Sequence, residues 1–172
     1  MSATKQSLVL GGGCFWCTEA AYKLLPGVVA VTSGYAGGTS INPTYPEVCS
    51  GDSDHAEVIR IEFDPAVVTL DGLLDYFWKV HNPTTLNQQG ADRGPQYRSI
   101  ILYADAAQKT AAEASRDRAN PGWGEGIVTL IEPLAEFYPA EAYHQDYFAR
   151  NPNAGYCAAV IRPKIDKLRA AR

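Results

Sequence analysis

Two cysteines, Cys14 and Cys17, stand three residues apart directly after three glycines, in Gly11-Gly12-Gly13-Cys14-Phe15-Trp16-Cys17-Thr18-Glu19. The apolar run Leu8-Val9-Leu10 precedes them and the helix formers Glu19-Ala20-Ala21-Tyr22-Lys23-Leu24-Leu25 follow. A strand therefore ends, glycines turn the chain, and a helix begins at or near Cys14. A helix start presents unpaired N–H groups and the positive end of the macrodipole. A thiol there is expected to have a lowered pKa and to be a nucleophile near neutral pH. A lone cysteine is more often a small buried hydrophobe, with neighbours such as Phe15 and Trp16 as core. Here the turn, the helix start and the Cys-x-x-Cys spacing coincide, which favours chemistry.

Three further segments carry reactive groups. Asn42-Pro43-Thr44-Tyr45-Pro46-Glu47-Val48-Cys49-Ser50-Gly51 is rich in turn residues; Tyr45 either covers a core edge or binds a ligand, and Cys49 reads as a free structural thiol. Asp54-His55-Ala56-Glu57 enters an alternating strand in which Glu57 shares the apolar face with Ile59 and Ile61. A carboxyl on a buried face is costly unless paired or protonated, and a raised pKa makes it a general acid; the plain alternative, which periodicity alone leaves equal, is that the alternation breaks at the strand end and Glu57 is solvated. His55 reads as a loop histidine rather than a ligand. Gly90-Ala91-Asp92-Arg93-Gly94-Pro95-Gln96-Tyr97-Arg98-Ser99 feeds another strand and places Asp92, Gln96 and Tyr97 at a sheet end, where binding groups cluster. The plain alternative is a turn with an Asp92–Arg98 ion pair. Cys157, in a glycine-containing tail, suits a mobile thiol, whereas Cys14 and Cys17 are near enough on one helical face to bridge.

The elements that must hold these residues follow from periodicity. Strands are expected over Ser7–Gly11, Val28–Ser33, Val58–Phe63, Ser99–Tyr103 and Ile127–Glu132. Helices are expected over Cys14–Leu25, over Leu70, Leu73, Leu74, Phe77 and Trp78 up to Pro83, and from an Asp105 cap to about Ala119. Gly34 to Ser53 and Thr84 to Gln96 read as long functional loops. A short aromatic helix is expected around Ala140–Ala149. The order up to Tyr103, strand-helix-strand-strand-helix-strand, predicts an α+β fold with a ferredoxin-like βαββαβ core. An extra helix, an extra strand and an extended aromatic C-terminal tail would wrap it.

The chain has 172 residues, enough for one domain (1–172) with a real core. With 46% hydrophobic and 20% charged residues and a net charge of −4, it is an ordinary globular chain without a basic cluster, so neither nucleic acid nor an anionic membrane is an expected partner. A polar start and the lack of a membrane-length apolar run point to the cytoplasm. Four cysteines are too few for a disulfide scaffold at this length, leaving catalysis, redox cycling or metal. Met1 is the only methionine, so little is lost to oxidants.

From Gly11 to about Cys157 the chain resembles the peptide methionine sulfoxide reductases of the A type. Gly13-Cys14-Phe15-Trp16-Cys17-Thr18-Glu19 carries the resemblance, with Ser33-Gly34-Tyr35-Ala36-Gly37-Gly38, Asn42-Pro43-Thr44-Tyr45, Glu47-Val48-Cys49-Ser50-Gly51, His55-Ala56-Glu57 and Gln96-Tyr97-Arg98-Ser99 in the same order. The resemblance implies that Cys14 is the nucleophile, and that Phe15 and Trp16 hold the substrate methyl group. It implies that Glu57 is the acid, that Tyr45 and Tyr97 bind the sulfoxide oxygen, that Asp92 orders the site, and that Cys157 is the recycling thiol. It also implies the S epimer, free or within proteins, repair of oxidative damage, thioredoxin or another dithiol as reductant, a two-layer α/β sandwich, and no metal or organic cofactor. A monomer is expected. Cys17 is open: a recycling partner, a relay or a spectator, ranked behind Cys157 because a tail moves more freely than a residue one helical turn away.

Two other readings stand beside this one. Cys14-x-x-Cys17 at a helix start also suits a general thiol–disulfide oxidoreductase, which leaves Tyr45, Glu57 and Tyr97 without work. A zinc module built on Cys14, Cys17, Cys49 and His55 lacks a second ligand pair at the usual spacing.

Overall fold

The computed structural model describes residues 5–50, 53–90 and 92–170. Its centre is a six-stranded mixed sheet in the order β7-β6-β1-β3-β2-β8. In chain order, β1 (Gln6–Gly11) leads to α1 (Phe15–Tyr22) and β2 (Val28–Ala36). A short α2 (Tyr45–Ser50) precedes β3 (Ala56–Phe63) and α3 (Leu70–Val80). The small ladder of β4 (Gln88–Gln89) and β5 (Asp92–Arg93) and a 3-10 turn at Pro95–Tyr97 lead into β6 (Ile100–Tyr103). After α4 (Ala106–Ala119) come β7 (Leu130–Pro133), β8 (Phe137–Pro139), a second 3-10 turn at Ala142–His144 and α5 (Tyr147–Arg150). A π-helical turn at Cys157–Ile161 runs into the last helix, α6 (Arg162–Ala170). All neighbouring strands are antiparallel except β6 and β7, which are parallel.

Period-two alternation divides the sheet into two faces. Leu8, Leu10, Val31, Tyr35, Ile59, Ile61 and Phe63 join the principal core with helical residues such as Ala21, Leu73, Phe77, Ala112 and Ile165. Val9, Val58, Ile100 and Leu102 form a smaller cluster on the other face, covered by Leu134 and Phe137. Thr69 caps α3 by accepting from the Gly72 amide, and Asp105 caps α4 by accepting from that of Gln108. The Trp78 indole donates to Ser115 Oγ, and Ser115 donates to Asp75, stitching α3 to α4.

The central elements lie close to their expected positions, with β2 and β3 each longer than the apolar runs suggested. The C-terminal region differs. Instead of an extended aromatic tail, residues after Pro133 add β8 to the sheet edge beside β2 and end in α6. Ile161, Ile165 and Leu168 recur at helical spacing and are buried, so a single apolar stripe makes α6. The two long loops are also partly ordered, the first by α2 and the second by the β4–β5 ladder.

One glycine makes a turn possible and another a close approach. Gly13 has φ of +91°, which L side chains rarely adopt, and this turn sets Cys14 at the start of α1. At Gly11 a Cβ would stand 2.4 Å from the Glu57 carbonyl oxygen and 2.9 Å from Val58 Cγ1. Gly11→Ala is therefore expected to separate β1 from β3 and to destabilise the protein by about 1–3 kcal/mol through overpacking. Urea unfolding checks it, and an unchanged midpoint contradicts it.

Candidate active site

The site forms where the start of α1 meets the entry of β3. Glu57 falls on the same strand face as Ile59 and Ile61 and is only 1% exposed. Its Oε1 accepts from the Phe15 backbone N–H at 3.1 Å, so the first free amide of α1 is satisfied by a carboxyl 42 residues away. Burial pushes the Glu57 carboxyl up to about 8, the Phe15 N–H opposes the shift, and the Asp92 charge adds to it. At neutral pH this acid keeps its proton.

Cys14 is the N-cap of α1 with an extended backbone and a half-buried side chain. Its thiol is raised well above the ordinary value, contrary to the lowering expected at a helix start. Burial is the largest cause and Glu57 the next; the Trp16 amide pulls the other way, while Cys17 and Asp92 add to the rise. The Phe15 amide is committed to Glu57, so the helix start gives the sulfur less than its geometry promised.

Aromatic rings enclose this pair. Phe15 is buried, with Tyr35 and Tyr45 rings at 5.7 and 6.5 Å and the His144 ring at 5.1 Å. Trp16 stacks on Tyr147 at 3.8 Å with the rings nearly parallel, and Tyr156 meets it edge-on at 5.9 Å. The Trp16 indole N–H donates to His144 Nδ1 at 3.0 Å. His144 is fully buried, and burial lowers its pKa, so its ring is neutral with the proton on Nε2. Tyr45 is held through its amide, which donates to Glu141; the other oxygen of Glu141 accepts from the Tyr35 hydroxyl at 2.8 Å.

Asp92 lies on β5 and accepts from the Tyr156 hydroxyl at 2.6 Å, and no Asp92–Arg98 ion pair forms among the described residues. Arg98 instead donates to the carbonyls of Pro95, Gly37 and Asp54. Tyr97 is half-buried; its phenol is raised by burial first, then by Glu57, Asp92 and Cys14, which places it among these groups. A cleft of about 230 Å³ is lined by Cys14, Cys17, Asp92, Tyr156, Val160 and Lys164, among others.

The remaining thiols are graded. Cys17 is buried in the first turn of α1, its amide bonded to the Cys14 carbonyl at 3.1 Å. Burial raises its pKa, the ammonium of Lys164 beside it opposes that rise, and Asp92 and Cys157 are its other electrostatic neighbours. Cys157 is 0% exposed and belongs to the principal core. It begins the π-helical turn before α6, so it is not the thiol of a loose tail; Ile161 and Ile165 hold its helix to the core. Cys49 is exposed on α2. His55 bonds the Gly38 amide through Nδ1 and the Ser40 carbonyl through Nε2, which spends both nitrogens on the loop. Among the described residues no cluster of three His, Cys, Asp or Glu could hold a metal ion.

The structure thus gathers Cys14, Phe15, Trp16, Tyr45, Glu57, Asp92 and Tyr97, with Cys17 adjoining and Cys157 behind it. Sequence reasoning missed Glu141, His144, Tyr147, Tyr156 and Lys164. The signal was present in Glu141-Ala142-Tyr143-His144-Gln145, a polar-aromatic cluster too rich for a plain connection.

Comparisons agree with this geometry. A family model described as peptide methionine sulfoxide reductase matches residues 6–172. A relative from Haloquadratum walsbyi, named peptide methionine sulfoxide reductase MsrA, is 54% identical over 164 residues, covering 95% of this chain and 94% of its own length. The crystal structure of Mxr1 from Saccharomyces cerevisiae in reduced form is similar with a TM-score of 0.85, at 38% identity and 89% coverage of each chain. The same yeast protein in complex with Trx2 is similar with a TM-score of 0.61 at 29% identity, covering 86% of this chain and 89% of that one.

Burial of Glu57 has a measurable cost. Its folded pKa lies above the ordinary value of 4.5, so the folded state holds a proton that the unfolded chain has lost. Its contribution is fully present below about 4.5 and is lost as pH rises to about 8. Glu57→Gln is therefore expected to gain stability over the parent progressively across that window and level off above it. Urea unfolding at several pH values tests this, and a gap independent of pH would refute it.

Proposed function

The chain belongs to the peptide methionine sulfoxide reductase family, and on that premise we propose that Cys14 reduces the sulfoxide with Glu57 as the acid. The observation that carries this reading is the protonated, buried Glu57 carboxyl fixed at the α1 start beside the Cys14 thiol. A sulfoxide sulfur accepts a nucleophile when its oxygen is protonated or strongly hydrogen-bonded. Glu57 supplies the proton, and the Tyr45 and Tyr97 hydroxyls are the further donors in a largely apolar setting. Phe15 and Trp16 seat the methyl group and Asp92, bonded to Tyr156, orders the rim. Cys14 attacks the sulfur, methionine leaves, and the oxygen remains on Cys14 as a sulfenic acid. Likeness to the A type implies the S epimer, in proteins or free, and so a role in repair of oxidised proteins.

The sulfenic acid must then be reduced. Cys17, one helical turn away in the same cleft, condenses with it, releasing water and forming a Cys14–Cys17 disulfide. Cys157, the thiol neighbour of Cys17, attacks the Cys17 sulfur, forms a Cys17–Cys157 disulfide and frees Cys14. Cys157 remains the recycling thiol that an external dithiol such as thioredoxin reduces, and Cys17 becomes the relay. The yeast relative's complex with Trx2 supports that partner. The electrons come from thiols, so no metal or organic cofactor enters a step. The site draws on elements from β1 to α6, which supports one catalytic domain over 1–172, and a monomer is proposed with it. The order β6-β1-β3-β2, antiparallel throughout, supports a ferredoxin-like core in a two-layer sandwich. Free thiols fit the cytoplasm.

Two expectations follow from the chemistry. Sulfoxide reduction should fall as pH rises through about 8, as Glu57 loses its proton. Glu57→Gln should slow it by about 10² to 10⁴-fold and remove that descending limb while Cys14 still reacts with an alkylating agent. Steady-state rates across pH check both, and a parent rate in the variant excludes the acid role. After one pulse of methionine sulfoxide, peptide mapping should find Cys17–Cys157 in the parent and Cys14–Cys17 in Cys157→Ser. Cys17→Ser should keep a sulfenic acid that dimedone traps. A Cys14–Cys157 disulfide forming at the parent's rate in Cys17→Ser would return resolution to Cys157 alone.

A further inference from the structure

Beside the thiol cleft a second cavity, of about 640 Å³, lies between the end of α3 and α6. Trp78, Trp123 and Leu168 give it apolar walls, and Lys79, Lys164 and Lys167 ring it. Lys79 and Lys167 are exposed and Lys164 half-buried. The ion pairs among the described residues involve Lys23, Arg116 and Arg118, and none of these three lysines. On a chain of net charge −4, three lysines with no carboxylate partner among the described residues, around one apolar groove, are a local reversal of sign. Asp166, the acid of α6, does not line it.

The groove adjoins the redox site. Lys164 and Gln89 line both the groove and the cleft that holds Cys14 and Cys17. Its α6 wall is also the direct continuation of the turn that begins at Cys157.

We propose that this groove docks the protein dithiol that resets the enzyme, and that its lysines select a partner with acidic residues around its own thiols. The inference rests on the reading above that an external dithiol reduces the last disulfide. The crystal structure of the yeast relative in complex with Trx2 supports a protein partner at this step. Apolar walls ringed by charge suit a transient encounter: the rings give contact area, and the lysines speed and orient the approach. Lys164 serves twice. When the partner's thiolate attacks the Cys17 sulfur, which lines the shared cleft, the Cys17–Cys157 bond breaks and Cys157 leaves as a thiolate that takes up a proton. A mixed disulfide joins Cys17 to the partner, and the partner's second thiol closes its own disulfide and releases Cys17 as a thiolate beside the Lys164 ammonium.

The test is the double variant Lys79→Glu with Lys167→Glu, two exposed groups outside the thiol cleft. It is assayed with a bacterial thioredoxin, its reductase and NADPH, and separately with dithiothreitol. The expected result is a rise of about tenfold in KM for thioredoxin, with the dithiothreitol-driven kcat and the KM for methionine sulfoxide unchanged. Added salt should raise the parent's KM for thioredoxin and affect the variant little. An unchanged KM for thioredoxin, or an equal loss with dithiothreitol, overturns the proposal. A parent dimer that the variant dissociates assigns the groove to a second copy and overturns it too. A parent that turns over with dithiothreitol and never with thioredoxin overturns the premise and the groove together.

Discussion

The hydrogen bond from the Phe15 amide to the Glu57 carboxyl is the constraint on which the rest of the site depends. It ties the start of α1 to the entry of β3, and each end solves the other's problem. The amide is one of the unpaired donors of a helix start, and the carboxyl is an acid buried on an apolar face. The bond forms because β1 and β3 approach without a side chain at Gly11, and because Gly13 turns the chain through a left-handed conformation. The tight glycine turn therefore belongs to the chemistry as much as the cysteine does.

The second support comes from the far end of the chain. β8 pairs with β2, and Gln145 accepts from the Ser33 amide and donates to its carbonyl, pinning the segment after Pro139 to the sheet edge. That placement brings His144 to the Trp16 indole, Tyr147 onto its face and Tyr156 to its edge. A tryptophan held on three sides cannot swing away, and its ring becomes a fixed wall. Tyr156 then carries the order across to Asp92 through a single hydrogen bond.

Most of this was legible where local pattern and tertiary contact agree. Alternation in β3 offered Glu57 the buried face without excluding a solvated strand end, and the structure buries it, while the stripe of α3 and the Asp105 cap of α4 follow local rules that the packing respects. The sequence misled where long-range contacts decide. A helix start lowers a thiol pKa in isolation, yet at Cys14 burial and a carboxyl from another strand reverse the sign. Cys157 reads as mobile because Gly155 and Asn153 precede it, yet Ile161 and Ile165 fold its segment into the core. The aromatic run near His144 has no period to announce its role, since its partners lie some 130 positions earlier.

Raised pKa values on both Cys14 and Glu57 give the resting site a coherent character. Each group favours its neutral form, burial is the first cause for both, and each charge would destabilise the other. The site therefore holds protons and little charge. A thiol kept protonated is a poor nucleophile and a poor target for oxidants, because the thiolate is the reactive species. In the proposed mechanism a neutral, strongly dipolar sulfoxide would alter that balance: its oxygen would take the Glu57 hydrogen bond, and the positive sulfur beside Cys14 would favour the thiolate. On that mechanism reactivity would appear when the substrate's dipole completes the electrostatics, and the buried acid would make the site selective for a sulfur that carries an oxygen.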